Sequence, residues 1–93
     1  MLKRELIAAL TRRHKELKAQ DVDLIARLIF ESMADALSRG EEIELRGFGS
    51  FRIRDYEPRA ARNPGTGETV QLDARRGVLF KAGLEMRGRL NGR

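Results

Sequence analysis

The hydrophobic positions of the first forty residues recur at the spacing of amphipathic helices. Between residues 3 and about 14, apolar side chains fall three and four positions apart, which predicts a short first helix. A longer pattern over residues 20–38 predicts a second helix, with Asp21 as its N-cap. Gly40 follows this pattern and is expected to end the helix in the left-handed conformation.

The second helix carries more apolar surface than one short helix can cover. Leu24 and Leu28 form a second apolar edge beside the main stripe, which consists of Val22, Ile25, Ile29, Met33 and Leu37. Because a helix that is apolar over a wide arc must be enclosed, we interpret the surplus as a surface that packs against a second subunit. The alternative is that the sheet of the same chain covers it.

After residue 41 the spacing of the hydrophobic residues changes from that of a helix to a period of two residues. Apolar and polar side chains alternate over residues 43–46 and again over 51–54, so two strands are predicted. The paired glycines of Gly47-Phe48-Gly49-Ser50 permit a tight turn between them, from which Phe48 can point back into the core. A third alternation starts at Val70 and leads into residues 77–80.

Residues 57–76 are poor in side chains that form a core. Only Val70 and Leu72 are of any size, whereas the turn formers are concentrated in Asn63-Pro64-Gly65-Thr66-Gly67. The pattern predicts a β-ribbon arm that reaches about 20 Å from the body, with Pro64 at or near its tip. Because isolated hairpins are marginal in water, we expect the arm to be mobile until a ligand holds it.

With a short helix near the C-terminus, these elements predict an α+β fold. It comprises two N-terminal helices, a three-stranded antiparallel sheet with a protruding arm, and the short last helix. We expect one domain over residues 1–93, built from a helical dimerisation part (1–40), a sheet with its arm (41–80) and the C-terminal helix (81–93). A chain of 93 residues buries a small core, and without cysteines its remaining support is oligomerisation.

Charge and motifs narrow the function. Nineteen Lys and Arg against fourteen Asp and Glu give a net charge of +5, which suits a polyanionic partner. No apolar run approaches the roughly 20 residues of a membrane span, and no signal peptide is evident, so a cytosolic protein is expected. The glycine-rich segments lack the third glycine of a dinucleotide site and the Lys-Ser/Thr of a P-loop. His14 has no histidine or cysteine companion, so we predict no enzyme, metal or cofactor.

The arm carries the candidate chemistry. Pro64 is flanked by Arg62 and Asn63, and Arg59 and Arg75 lie along the same arm. Cations for phosphates and an apolar wedge that unstacks a base step are what a minor-groove binder requires. The alternative is that Pro64 only stiffens a hairpin turn.

These residues carry a family resemblance that extends over essentially the whole chain. The segments Arg46-Gly47-Phe48-Gly49-Ser50-Phe51, Arg62-Asn63-Pro64, Thr66-Gly67-Glu68 and Phe80-Lys81 with Gly83 resemble the HU/IHF family of bacterial histone-like DNA-bending proteins. HU and IHF are themselves standard examples of wedge-inserting minor-groove binders. The resemblance implies an intertwined dimer whose arms embrace DNA, with Pro64 as the wedge and Arg59, Arg62 and Asn63 facing the groove.

Within the family, Glu44-Leu45-Arg46 is similar to the beta-type chains of integration host factor. The resemblance implies that Arg46 reads base edges in the minor groove while Glu44 steadies it. The alternative is an ordinary solvated pair on a polar strand face, worth less than about 1 kcal/mol. The chain departs from the family pattern at Leu2, Ala61, Ala82 and Leu84, and the last two changes put a phosphate contact in doubt.

The sequence therefore predicts an architectural protein that bends duplex DNA in recombination, replication, transcription regulation or nucleoid organisation. The predicted partners are double-stranded DNA and a second chain, in a homodimer or a heterodimer with an alpha-type subunit, in the cytoplasm at the nucleoid. Alternatives are an HU-like nonspecific DNA binder and a basic RNA- or ribosome-binding protein. The predicted DNA contacts are Lys3, Glu44, Arg46, Arg59, Arg62, Asn63, Pro64, Arg75, Arg76 and Lys81.

Overall fold

The structure, a computed structural model of the single chain, describes residues 1–92. Three helices and five strands follow one another along the chain: α1 Lys3–Arg13, α2 Ala19–Ser38, β1 Ile43–Leu45, β2 Gly49–Tyr56, β3 Arg59–Arg62, β4 Thr69–Leu72, β5 Arg75–Ala82 and α3 Leu84–Leu90. The chain divides into two compact units, of which the first is Met1–Asp35 and the second begins at Ala36. The predicted α+β fold is confirmed, although the third predicted strand is divided into β4 and β5.

The two long helices begin differently. At the start of α1 the Glu5 carboxylate accepts a hydrogen bond of 2.8 Å from the backbone N–H of Leu2, whose apolar side chain cannot act as a cap. At the start of α2 the Lys18 carbonyl accepts a 3.0 Å bond from the backbone N–H of Asp21. Since α2 already begins at Ala19, Asp21 lies inside its first turn, and the N-cap prediction is wrong. Its carboxylate still complements the positive end of the helix dipole.

The helical unit buries little of its apolar surface. Val22 and Ala26 are its buried side chains, with exposed fractions of 5% and 4%. The larger apolar residues of α2 remain between 39% and 52% exposed: Leu24, Ile25, Leu28, Ile29 and Phe30. A soluble monomer rarely exposes a continuous patch of this kind, so the single chain leaves uncovered the surface that was expected to pack against a second subunit.

Aromatic contacts organise the three-stranded sheet, in which β2 lies between β1 and β5. Phe51 of β2 stands opposite Ile43 on one side and Phe80 on the other, in antiparallel register. The rings of Phe51 and Phe80 lie 4.8 Å apart, and Phe48 from the β1–β2 turn lies 5.5 Å from Phe80. Phe48 thus reaches the apolar face as predicted, yet it stays 43% exposed in the single chain.

The arm is a separate two-stranded sheet formed by β3 and β4. Tyr56 pairs with Arg75 before the interruption and Arg59 pairs with Leu72 after it, so two residues on each strand are skipped and the register is unchanged. One of the skipped residues is Pro58, which has no N–H to donate to a ladder. The division of the predicted third strand thus coincides with a proline on the other side of the ribbon.

The last helix begins later than predicted because β5 extends to Ala82. That residue pairs with Gly49, where a Cβ would lie only 2.6 Å from the Lys81 carbonyl oxygen, so the close approach requires glycine. The backbone N–H of Gly83 then donates a 2.9 Å hydrogen bond to the carbonyl of Phe48. This bond ties the start of α3 to the β1–β2 turn, and the helix begins at Leu84 instead of residue 81.

Candidate nucleic-acid interface

One face of the three-stranded sheet is strongly basic. Alternation along β2 places Ser50, Arg52, Arg54 and Tyr56 on the face opposite to Phe51 and the other aromatic residues. The register adds side chains from β5 to the same face, with Lys81 opposite Ser50 and Arg75 opposite Tyr56. The basic face of the sheet is thus formed by Arg52, Arg54, Arg75 and Lys81, two of which the sequence had indicated.

Arg75 and Arg76 are neighbours in sequence but lie on opposite faces of the sheet. The Arg75 guanidinium lies 5.0 Å from the centre of the Tyr56 ring, on the basic face. Arg76 instead pairs with Asp55, with 3.3 Å between its Nε and a carboxylate oxygen, and its Nη2 lies 3.2 Å from the point where a Cβ on Gly40 would stand. The structure therefore separates two residues that the sequence prediction treated alike.

The end of the basic face forms a shallow groove of about 300 Å³. Three predicted contacts line it, Glu44, Arg46 and Lys81, and pairing of Ser50 with Glu44 and with Lys81 places two of them on the strands that flank β2. Within residues 1–92 no ion pair joins Glu44 to Arg46, so both remain available to an incoming ligand. The groove is completed by Leu45, Gly47, Gly49, Ala82, Gly83, Leu84 and Arg87.

Sequence reasoning missed Arg87. It belongs to α3 and reaches the groove together with Leu84, one helical turn before it. Arg87 thus adds a cation to a groove that Leu84 lines with an apolar side chain. The sequence signal for Arg87 was its three-residue spacing from Leu84, which places both residues on one face of a helix. This spacing can be interpreted only when the start of α3 is known, and the Gly83–Phe48 hydrogen bond fixes that start.

The tip of the arm is a hydrogen-bonded turn that exposes Pro64. The backbone N–H of Asn63 donates to the Glu68 carbonyl, and that of Gly67 donates to the Asn63 carbonyl, each at 2.7 Å. The Asn63 side-chain oxygen also accepts a 2.9 Å bond from the backbone N–H of Gly65. Gly67 adopts a φ of +77°, a conformation that L side chains rarely take. Pro64 is held at the exposed end of this frame.

The two arginines of the arm face different ways. Arg59 stands opposite Leu72, whereas Arg62 stands opposite Thr69 at the tip end. Because their positions differ by an odd number, alternation places their side chains on opposite faces of the ribbon. Arg59 therefore shares a face with the arm's apolar residues Val70 and Leu72, while Arg62 lies on the polar face beside the tip.

The remaining candidates belong to the helical unit. Lys3 is exposed in the first turn of α1, within the helical unit. His14 is half exposed, and its ring Nδ1 lies 3.2 Å from a carboxylate oxygen of Glu16. The pKa of Glu16 lies below its usual range because its own backbone N–H and then the His14 ring donate hydrogen bonds to the carboxylate.

No cluster of three or more metal-binding side chains occurs in residues 1–92. Across the same residues, none of the helices has the length and apolarity that a membrane crossing requires.

The profile of the family described as "Bacterial DNA-binding protein" matches residues 1–91. Integration host factor subunit beta of Saccharophagus degradans is 48% identical over 91 residues, covering 98% of this chain and 93% of that protein. The subunit beta of Xylella fastidiosa is 49% identical over 90 residues, covering 97% of this chain and 86% of that protein.

Solved structures of HU proteins are also similar to this chain. An Anabaena HU–DNA cocrystal structure is similar with a TM-score of 0.85 and 32% sequence identity, covering 97% of both chains. HU from Thermotoga maritima is similar with a TM-score of 0.65 and 27% identity, covering 97% of this chain and 98% of the other. The chain therefore belongs to the bacterial DNA-binding protein family of HU and integration host factor, whose members are architectural DNA-binding proteins and not enzymes.

Proposed function

We propose that this protein bends duplex DNA by inserting Pro64 into the minor groove. The observation that carries the proposal is the arm tip, where the Asn63–Glu68 turn holds an exposed proline between Arg62 and polar neighbours. Unstacking a base step costs on the order of a few kcal/mol, which the additional contacts made by bent DNA offset. The hydrogen bonds of the turn fix the position of Pro64 within the tip.

The basic face of the sheet supplies the cations for the DNA backbone. Each phosphate neutralised by Lys or Arg releases counterions, and this gain makes binding depend on salt. Arg75 and Lys81 on this face, together with Arg59 and Arg62 of the arm, are the proposed contacts, and we add Arg87 because it lines the groove. Arg76 remains a prediction from sequence, but its ion pair with Asp55 favours a role within the chain. Lys3 also remains a predicted contact.

Glu44 and Arg46 are proposed to provide sequence preference. They line the groove at the end of the basic face and are not paired with each other among the described residues. An arginine free of a carboxylate partner can donate to acceptors on base edges, whereas a strong internal ion pair would compete with them. The second candidate, an HU-like binder without preference, is favoured by the similarity to HU structures.

The apolar face of α2 is proposed to pack against a second family chain. Members of this family form dimers, and the exposed residues Leu24, Leu28 and Phe30 need such a cover. Similarity to proteins named as subunit beta favours an alpha-type chain as the partner over a second copy. We place the resulting dimer on DNA in the cytoplasm, at the nucleoid, where bent DNA serves recombination, replication and transcription regulation. Native mass spectrometry of the chain alone and with an alpha-type chain distinguishes the two assemblies.

A bending assay tests the function. End-to-end energy transfer is measured on labelled duplexes, one with an integration host factor consensus site and one scrambled, with and without an alpha-type partner. A large bend on the consensus duplex that declines with Arg46→Ala supports sequence preference. Equal bends on both duplexes favour the HU-like function, and the absence of any bend would contradict the proposal.

A further inference from the structure

Tyr56 lies at the last paired position of β2, just before the ribbon is interrupted. Its ring leans diagonally over Gly77 of β5, since a Cβ at Gly77 would lie only 3.0 Å from Cε2 of Tyr56. Such packing of an aromatic ring over a cross-strand glycine fixes the ring against the sheet backbone. The side chain nevertheless stays 39% exposed on the basic face.

Two guanidinium groups share this ring. The central carbon of Arg54 lies 5.6 Å from the ring centre and that of Arg75 lies 5.0 Å from it, both within the range of cation–π attraction. Neither arginine has a carboxylate at ion-pair distance within residues 1–92, whereas Arg52 pairs with Glu42 and Arg76 with Asp55. Two charges therefore lie close together that no carboxylate of the described part of the chain neutralises.

The occupant that this arrangement fits is the anionic DNA backbone. Two guanidiniums beside one ring attract phosphate oxygens, and each presents a planar fork of N–H donors suited to phosphate. A neutral base gains less there, because the ring that would stack on it already interacts with two cations. The position also suits the backbone, since Tyr56 and Arg75 form the last pair of the sheet before the arm begins.

We propose that Tyr56 is a positioning residue that holds Arg54 and Arg75 as a preorganised pair for the DNA backbone at the base of the arm. The inference rests on the proposed DNA-bending function but concerns a contact separate from the arm tip. Long arginine side chains lose rotamer freedom when they bind, and a ring that restricts them beforehand reduces that loss. Removing the ring should therefore weaken both arginine contacts while leaving both charges in the protein.

The test is a double-mutant cycle on the full-length protein in the dimer it forms, with a fluorescently labelled duplex of about 40 base pairs. Dissociation constants are measured at four salt concentrations for the parent, Tyr56→Leu, Arg75→Ala and the double variant. We expect Tyr56→Leu to weaken binding about fivefold and to lower the salt slope by about one. Arg75→Ala should weaken the parent about tenfold but the Tyr56→Leu protein only about fourfold, so that a loss of about twofold from Tyr56→Leu persists through Arg54.

Control variants separate positioning from other roles. Tyr56→Phe keeps the ring and should bind as the parent does, whereas a loss equal to that of Tyr56→Leu would assign the contact to the hydroxyl and overturn the proposal. Arg39→Ala, which removes an exposed charge paired with Glu41, corrects for the change in net charge. Gly77→Ala retains Tyr56 but displaces its ring, and we expect a loss of about threefold. This variant keeps the test valid if Tyr56→Leu unfolds.

Each outcome has a distinct meaning. Equal losses from Arg75→Ala in the two backgrounds, or unchanged salt slopes in Tyr56→Leu and Gly77→Ala, overturn the positioning role while the parent still binds and bends DNA. Failure of the parent protein to bind duplex DNA overturns the proposed function itself.

Discussion

The body sheet and the arm are built from the same ribbon in the same register, yet they differ in what holds them. In the body, Phe51 and Phe80 face each other across β2 and β5 with 4.8 Å between ring centres. In the arm, the equivalent inward pairs are Arg59 with Leu72 and an alanine with Val70. Pairing alone therefore does not make a stable sheet, because stability comes from the side-chain pairs on its faces.

The largest test of this difference truncates one inward side chain in each region. We expect Phe80→Ala to lower the free energy of unfolding by about 2–3 kcal/mol, below the value for a fully buried ring because Phe80 is partly exposed. Val70→Ala in the arm should lower it by less than about 0.5 kcal/mol. Urea unfolding followed by circular dichroism, at a fixed protein concentration, measures both. Equal losses would show that the arm packs as the body does.

Pro64→Ala tests the tip of the arm, where the proline is exposed and its removal should not reduce the packing of the protein. We expect unchanged unfolding, but a smaller bend and an affinity for intact duplex that is weaker by about 1–2 kcal/mol, because the wedge that unstacks the base step is shortened. On nicked duplex the step is already unstacked, so the loss should be much smaller. Energy transfer and binding are compared on the two duplexes. An intact duplex bent as strongly as by the parent would show that Pro64 only stiffens the turn.

Arg75 and Arg76 provide a comparison within the body itself. Arg75→Ala should weaken DNA binding about tenfold and lower the salt slope by about one, because its guanidinium lies on the basic face with no carboxylate partner among residues 1–92. Arg76→Ala should weaken binding by about twofold or less, since its charge is already paired with Asp55. Fluorescence anisotropy over a salt series measures both slopes. Equal slopes would place both arginines at the DNA and contradict the separation of the two faces.

Sequence periodicity predicted the elements well where one pattern ran undisturbed. The span of α2, its end at Gly40 with a φ of +82°, and the alternation of β2 all follow from side-chain spacing. The start of α2 was misplaced because Asp21 resembles a cap, although the carbonyl of Lys18 already accepts hydrogen bonds from the first turn. Local preference for a cap residue does not determine where helical hydrogen bonding begins.

The site was less predictable because it depends on register. Arg75 and Arg76 face opposite ways because they are consecutive in one strand, but only the pairing of β5 with β2 shows which of them lies on the basic face. Arg87 lines the groove because a hydrogen bond between Gly83 and Phe48, which are far apart in the chain, fixes the start of α3. Candidate residues that lie in one loop, such as Asn63 and Pro64, needed no such information, since the turn motif itself places them at the tip.

A substitution at the interruption between body and arm is expected to have the smallest effect on the free energy of unfolding. Pro58 and the residue that follows Leu72, Asp73, stand in the unpaired stretch, and proline lacks the N–H that a continuous ladder would use. Replacing Pro58 with Ala restores that donor, so pairing can continue from β2 into β3 and the arm should stiffen. We expect a change of no more than about 0.5 kcal/mol in unfolding free energy, with greater hydrogen-exchange protection of arm amides. Unchanged protection would show that the interruption comes from the weak side-chain pairs of the arm and not from the missing donor. In that case the contrast between body and arm would rest on side chains alone.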